Sequence, residues 1–241
     1  MSLVEFEQRI ARNWADAFGC PFDDARQPGL HRIPNEHYTG DRLLHLWYVG
    51  QRTYLEYDPQ LTDEIERILA GLPNNAILRP GDLAAVLGTR VASHEHGLAF
   101  YLYPPDLPDF LPPAPFELRR LTQEDAGRMQ ALHQVCSPAE VDAGFVEVDH
   151  LIVFGCLIEG QLAAASSGFE SRGFMDIGVL THPAYRGRGL GKAAVRALCA
   201  RSIENGTIAQ YRCDAANTAS AKLARSLNFR LYGMEEDLTV K

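Results

Sequence analysis

No uninterrupted apolar run in the 241 residues approaches the roughly 20 needed to cross a bilayer as a helix, so no transmembrane helix and no membrane partner are expected. Acids at Glu5 and Glu7 stand where a secretory leader would be basic and then apolar, so no such leader is expected. Cysteine is sparse: Cys20, Cys136, Cys156, Cys199 and Cys213 are odd in number, scattered, and form no CxxC pair. That usage points to a reducing, cytoplasmic setting and argues against a disulfide framework or a Cys-based zinc site. Positive charge is also short. The formal net charge is −8, which disfavours binding to a nucleic-acid backbone as the main activity. Residues 1–115 contain no lysine, and their nine arginines face sixteen acids. The remaining residues hold fourteen bases against fifteen acids. A balance of −7 beside one of −1 suggests two units with different roles, and a solvated acidic surface is the simplest reading of the first.

What is present is ordinary globular composition, with 46% apolar and 22% charged residues, in a chain long enough for one large domain or two modest ones. The clearest boundary is 104–115, PPDLPDFLPPAP, where six prolines in twelve residues remove amide donors and favour an extended linker. Residues 1–103 read as a smaller α+β domain. It has an amphipathic helix over 3–18, two strands around a turn near Gly50 within 43–57, and a helix over 61–72 that Thr62 can cap. A short helix over 80–88 and a β-rich run over 97–104 follow. Asp23-Asp24 and Asp63-Glu64 read as solvated faces or helix starts.

Residues 116–241 read as a strand over 116–121, a helix over 123–135 and a short helix begun by Pro138. Next come a hairpin over 150–170 turning at Glu159-Gly160-Gln161, a strand over 174–183 and a helix from Gly189 to about residue 203. A strand over 207–215, a helix over 217–227 and a closing strand over 229–240 complete the chain.

The strongest chemical signal is Tyr185-Arg186-Gly187-Arg188-Gly189-Leu190-Gly191-Lys192, set between a strand and a helix. Glycines at alternate positions let the backbone curl and turn several N–H groups toward one point, where the positive end of the next helix also faces. Such a turn is suited to phosphate oxygens, and Arg186, Arg188 and Lys192 could add cationic contacts. It is not GxxxxGK[ST], because Ala193 follows Lys192, and not GxGxxG, because the third glycine comes one residue early.

Arg186-x-x-Gly189-x-Gly191 opening a helix resembles the acyl-CoA pyrophosphate loop of the GNAT superfamily of N-acetyltransferases. The approach THPAYRGRGLG (181–191) and the segment AANTASAKLARSLNF (215–229) are similar to that family's loop entry and following motif. Asn228 stands where the family usually has glycine, and asparagine is the residue next best suited to a left-handed cap. The resemblance covers about half the chain and is closest to the bacterial branch with an additional N-terminal domain.

The fold it implies is α/β (α+β): a C-terminal GNAT-like mixed sheet with splayed central strands flanked by helices, plus the smaller N-terminal domain. By that resemblance the backbone of Ile177, Val179, Leu180 and Thr181 pairs with the pantetheine arm of acetyl-CoA, or of another short acyl-CoA. Arg186, Gly187, Arg188, Gly189, Leu190, Gly191 and Lys192 hold the pyrophosphate. Asn217 and Ser220 reach the cofactor arm; on spacing alone Asn217 is a helix N-cap.

Transfer to an amine needs an unprotonated nitrogen, a polarised carbonyl and a route for the proton. Asp176 is the first candidate base, with Glu170 as second, and a strand-end or surface carboxylate is an equally simple reading of Asp176. His182 reads as a loop histidine beside Pro183. Many family members carry a tyrosine acid where this chain has Ala224, so Tyr211 or Cys213 is the substitute, or the thiolate leaves unaided. His94-Glu95-His96 does not match HExxH; on a strand the pair could share a metal, but no third ligand is evident in sequence, so an exposed turn is expected and no metal. Trp14, Trp47, Tyr48, Tyr54 and Tyr57 read as core, with an acceptor pocket as the alternative.

The expected activity is acyl-CoA-dependent N-acyl transfer to a primary amine of a small molecule or peptide. The alternative is an acyl-CoA sensor with weak catalysis. The N-terminal domain is expected to shape the acceptor side, and its acidity leans toward a cationic acceptor. The oligomeric state is open, with a homodimer one option.

Overall fold

The computed structural model describes residues 1–20, 28–72, 76–113 and 115–241; Asp23 and Asp24 lie outside them. In chain order the elements are α1 (Leu3–Ala17), β1 (Gly29–Pro34), β2 (Leu43–Val49), β3 (Arg52–Tyr57), α2 (Thr62–Leu69), α3 (Asp82–Leu87), β4 (Val91–Tyr101) and β5 (Glu117–Arg120). Then follow α4 (Ala126–Val135), α5 (Pro138–Gly144), β6 (Ile152–Ile158), β7 (Gln161–Ser171), β8 (Phe174–Thr181), α6 (Leu190–Glu204), β9 (Ile208–Asp214), α7 (Thr218–Ser226) and β10 (Arg230–Val240). The fold is mixed α/β. Among the described residues no helix is long and apolar enough to cross a membrane.

Two compact units emerge. One comprises Met1–Ala99, Asp214–Thr218 and Leu231–Lys241, and the other Phe100–Cys213 and Ala219–Arg230. The first unit therefore takes back the last strand of the chain, a long-range pairing that no local pattern announces.

In the first unit the strand order is β1-β3-β2-β10-β4. β2 and β3 form an antiparallel hairpin whose turn places Gly50 at φ +63, a left-handed value that glycine adopts without a Cβ penalty. β10 runs antiparallel to β2, and β1, which the sequence reading did not identify, runs parallel to β3. α1 starts with a Ser2/Glu5 capping box and buries Phe6, Ile10 and Trp14, the last 4.7 Å from Trp47. The opposite face is a core of leucines and Ile65 from β2, β3, α2, α3 and β10. Thr62 does not cap α2: it is the first helical residue, and its hydroxyl donates to Pro59 O at 2.7 Å. Trp14, Trp47, Tyr54 and Tyr57 are buried, as core.

In the second unit the order is β9-β8-β7-β6-β5. β5 to β8 are antiparallel neighbours, and β8 meets β9 in parallel. α6 covers one face through Leu190, Ala193 and Ala194 against Cys156, Ala163 and Ala164. These small residues permit a close helix–sheet approach. α4 and α5 cover the other face through Met129, Leu132 and Val141 against Val153, Leu162, Ala165 and Leu180.

The described part of the proline-rich segment has one 3-10 turn at Pro104–Asp106, and it is docked rather than free. Arg196 on α6 donates to Pro108 O and to Asp109 Oδ1, both at 3.1 Å. Arg230 binds Asp106 Oδ2 at 2.9 and 2.7 Å, and Asn228 Nδ2 donates to Asp106 O at 2.9 Å. Asn228 itself sits at φ +61, the left-handed conformation expected of it.

Candidate active site

β8 and β9 pair at only three positions, Phe174↔Ile208, Met175↔Ala209 and Asp176↔Gln210. Beyond Asp176 the two strands no longer pair, while on its other edge β8 stays paired with β7 as far as Thr181↔Ala164. The direction of the backbone groups in this gap follows from alternation. His182 N–H donates to Ala163 O at 3.0 Å, so even-numbered residues of this stretch face β7 and Ile177, Val179 and Thr181 turn their N–H and C=O groups the other way. Thr181 O is already taken by Arg186 Nε at 3.3 Å. Ile177 and Val179 thus present a strand edge to the gap. Leu180 points its side chain into the core below α4 and α5.

The glycine loop lies where β8 ends. Gly187 and Gly189 adopt φ +76 and +80, and Gly189 is the N-cap of α6. Ala193 N–H closes the first helical bond onto Gly189 O at 3.0 Å. Leu190, Gly191 and Lys192 therefore have no intrahelical acceptor for their N–H groups. Gly191 is fixed by packing: a Cβ there would lie 2.6 Å from Thr181 Oγ1 and 3.4 Å from Val179 Cγ2. Helix start and strand edge are pressed together by a residue with no side chain.

A strand edge left open by divergence, next to a helix N-terminus with unpaired amides, is the arrangement this loop would need to grip a diphosphate and an extended arm. Residues 153–234 match the family model described as GNAT acetyltransferase. Over those residues, about a third of the chain, the second unit is similar to the GNAT superfamily. A GNAT-family acetyltransferase from Colwellia psychrerythraea has the same fold, with TM-score 0.53 and 14% identity over 79% of this chain and 77% of its own. A GCN5-related N-acetyltransferase-like protein from Streptococcus suis 89/1591 gives TM-score 0.51 and 19% identity over 100% of both chains, so the likeness in fold extends to the first unit. No curated protein matches the chain. GNAT proteins transfer acyl groups from acyl-CoA to amines, and that general activity is the one the family supports.

Within this unit the cations of the loop are partly engaged. Arg186 Nη2 pairs with Glu140 Oε1 at 2.8 Å, tying α5 to the loop entrance. Glu140 is held below the ordinary carboxylate range, chiefly by hydrogen bonds from Ser137 and also by Arg186. The Arg188 guanidinium stands 5.3 Å from the centre of the Tyr185 ring, and the Lys192 ammonium 4.2 Å from that of Phe110. Phe110, from the proline-rich segment, also leans on Gly189: a Cβ there would fall 2.9 Å from Phe110 Cζ.

The catalytic candidates do not converge. Asp176 is buried at the vertex of the divergence, and its Oδ2 accepts from Arg212 Nε at 2.8 Å and Nη2 at 2.6 Å. Glu170 is exposed and pairs with Met175, before the vertex. Tyr211, the neighbour of Arg212 on β9, faces the other side of the sheet. Its hydroxyl lies 2.7 Å from Ser220 Oγ on α7, and burial pushes it up to about 12. Ser220 is thus a partner of Tyr211. Asn217 immediately precedes α7, as the capping reading requires. Ala224 is fully buried on α7. His182 accepts from Ala184 N–H at 3.1 Å, a local turn contact.

A second group on the Asp176 face escaped the sequence reading. Ser167 and Phe169 stand opposite Gly178 and Asp176 on β7, hence on the same face. His150 Nδ1 lies 2.8 Å from Ser167 Oγ, and the rings of Phe145, His150 and Phe169 are mutually 5.1–5.2 Å apart. Strand register sets Ser167 and Phe169 beside Asp176, and Phe145 and His150 meet them from the connection between α5 and β6.

Proposed function

We propose that this protein is an acyl-CoA-dependent N-acyltransferase that uses acetyl-CoA, or another short acyl-CoA, and acts on a primary amine of a small molecule or peptide by direct transfer. The observation that carries the reading is the divergence after Asp176↔Gln210 beside the open amides of α6. The residues present fit such a donor. The N–H groups of Leu190, Gly191 and Lys192 would hold its diphosphate, with Gly187, Gly189 and the cations of Arg186, Arg188 and Lys192 around it. The edge of Ile177 and Val179 would take the extended arm as an added strand. Phe110 would wall the loop on the side of Gly189.

Bound acyl-CoA supplies an activated acyl group whose thiolate leaves with modest basicity, a free thiol titrating near 8.5. Val179 N–H, aimed into the gap, would polarise the acyl carbonyl. Asp176 is the proposed base that takes a proton from the acceptor ammonium, through the oxygen that Arg212 does not bind, so that the freed amine can attack the carbonyl, and His150 is the second candidate on the same face. Arg212 keeps the Asp176 carboxylate pointed along the sheet. Tyr211 is proposed as proton donor only by way of Ser220, since its hydroxyl is directed there.

One observation favours the sensor reading: Ala224 is fully buried and offers no proton at the position where many family members have tyrosine. The two readings separate in one assay. Thiol release from acetyl-CoA is followed over a panel of amines and N-terminal peptides. Release that depends on one acceptor class is expected for the transferase; saturable binding with release over none of them selects the sensor.

A further inference from the structure

In the first unit, β4 and β10 bring two histidines and a buried carboxylate to one face of the sheet. His94 and His96 are two apart on β4, so both side chains leave the same side of the strand, and their rings are 4.2 Å apart. The expected exposed turn is therefore a strand, and the ligand missing from the sequence is Glu236, on the adjacent strand β10. One donor atom from each of His94, His96 and Glu236 lies within 4.8 Å of the others.

Glu236 is fully buried, and its carboxylate is oriented from several sides. The Tyr48 hydroxyl donates to Oε2, Gly81 N–H donates to Oε1 at 3.0 Å, and His94 Nε2 meets Oε1. A buried carboxylate costs several kcal/mol without a compensating positive charge. The groups that face this one are two neutral donors and a histidine, with a second imidazole beside it.

We propose that His94, His96 and Glu236 form a binding site for a divalent transition-metal ion of the zinc type. Two imidazole nitrogens and one carboxylate oxygen are a donor set for such ions; calcium and magnesium favour oxygen ligands alone. Tyr48 and Gly81 act as the outer shell that fixes the ligating carboxylate. His94 and His96 are solvent-accessible, which leaves the fourth coordination position open to water or a small ligand. The ion would cross-link β4 to β10 beside the start of α3. The proposal is independent of the acyl-CoA reading.

The test is calorimetric titration of the tag-free, chelator-stripped full chain with zinc chloride, together with the absorption spectrum of the cobalt(II) form. One equivalent of saturable binding and a four- or five-coordinate cobalt spectrum are expected. His96→Ala alters an exposed side chain and leaves the His94–Glu236 contact in place, and Glu236→Gln keeps the shape. Each should weaken zinc by more than about tenfold, the least that altering even an outer-shell partner of a ligand costs. His37→Ala, on an exposed turn of the same unit, should bind as wild type does. Absence of saturable binding, or unchanged affinity in both His96→Ala and Glu236→Gln, overturns the proposal and leaves His94–Glu236 as an ion pair.

Discussion

Arg212 holds Asp176 through a single carboxylate oxygen: both Nε, at 2.8 Å, and Nη2, at 2.6 Å, donate to Oδ2. The pair sits where β8 and β9 part, so the same ion pair that fixes the vertex also aims the remaining oxygen. Asp176→Asn should therefore do two things. It removes a partner from a guanidinium that is only one-third exposed, and urea unfolding should show a loss of about 1–3 kcal/mol. If Asp176 takes the proton, amine-dependent thiol release should fall by about 10²-fold or more, with the acidic limb of the pH profile displaced. His150→Gln should cost less than about tenfold. Equal losses in the two variants, or an unaltered pH profile in Asp176→Asn, would assign the base elsewhere.

Gly178 permits the backbone of α5 to cross β8. A Cβ on Gly178 would overlap Gly144 O, and one on Gly144 would lie 3.0 Å from Val179 O. Both neighbours are main chain and cannot rotate away. Gly178→Ala should destabilise by about 1–3 kcal/mol, as overpacking does. It should also weaken acyl-CoA binding, because Gly178 lies between Ile177 and Val179, whose edge would take the arm. Thermal unfolding and calorimetry check the two effects; a variant as stable as wild type would mean that α5 yields readily.

The Phe110–Gly189 contact gives a directional test of the loop. Gly189 has φ +80 and its Cβ position is 2.9 Å from Phe110 Cζ, so Gly189→Ala is opposed both by backbone conformation and by the ring. Phe110→Ala removes the ring alone and frees the Lys192 ammonium from it. Gly189→Ala should lower CoA affinity at least tenfold, whereas Phe110→Ala should change it less and should ease the loss when combined with Gly189→Ala. Strict additivity of the two substitutions would deny the contact any role in binding.

Asp125 provides a pH dependence of known sign. Arg119 grips it with both nitrogens, Nη1 to Oδ2 at 2.8 Å and Nη2 to Oδ1 at 2.7 Å, and this holds the carboxyl down to about 2, below the ordinary 3.8. A folded value below the unfolded one stabilises the native state fully above the unfolded value and is lost as pH falls from about 4 toward 2. With the Arg119 side chain one-third exposed, screening leaves about 1–2 kcal/mol. Asp125→Asn should be less stable than wild type by that amount at pH 7, with the gap reduced to about a third of it at pH 2.5. A gap that does not narrow on acidification would contradict the ion-pair account.

The second unit was largely legible because its signals are local. Alternating glycines before a helix, a glycine turn at Gly160 and an asparagine able to sit at φ +61 each act within a few residues. What stayed hidden depends on pairing across the chain. β1 lies parallel to β3, and nothing in GLHRIP states a partner. Phe110 and Asp109 read as linker, but Arg196, 87 residues from Asp109, docks the segment on α6. Asp176 was picked out by resemblance; its Arg212 partner follows from the meeting of β8 and β9, and the His150–Ser167 contact from the path of the connection between α5 and β6. The His94–Glu236 contact spans 142 positions, and a histidine pair without its third ligand reads as a turn.

The most direct test is amide hydrogen exchange on the full chain with and without saturating CoA. Protection confined mainly to two stretches is predicted: 177–181, where the strand edge gains a partner, and 187–192, where the helix-end amides gain acceptors. Saturable binding that leaves both stretches exchanging as before, or no binding at millimolar CoA, would contradict the account.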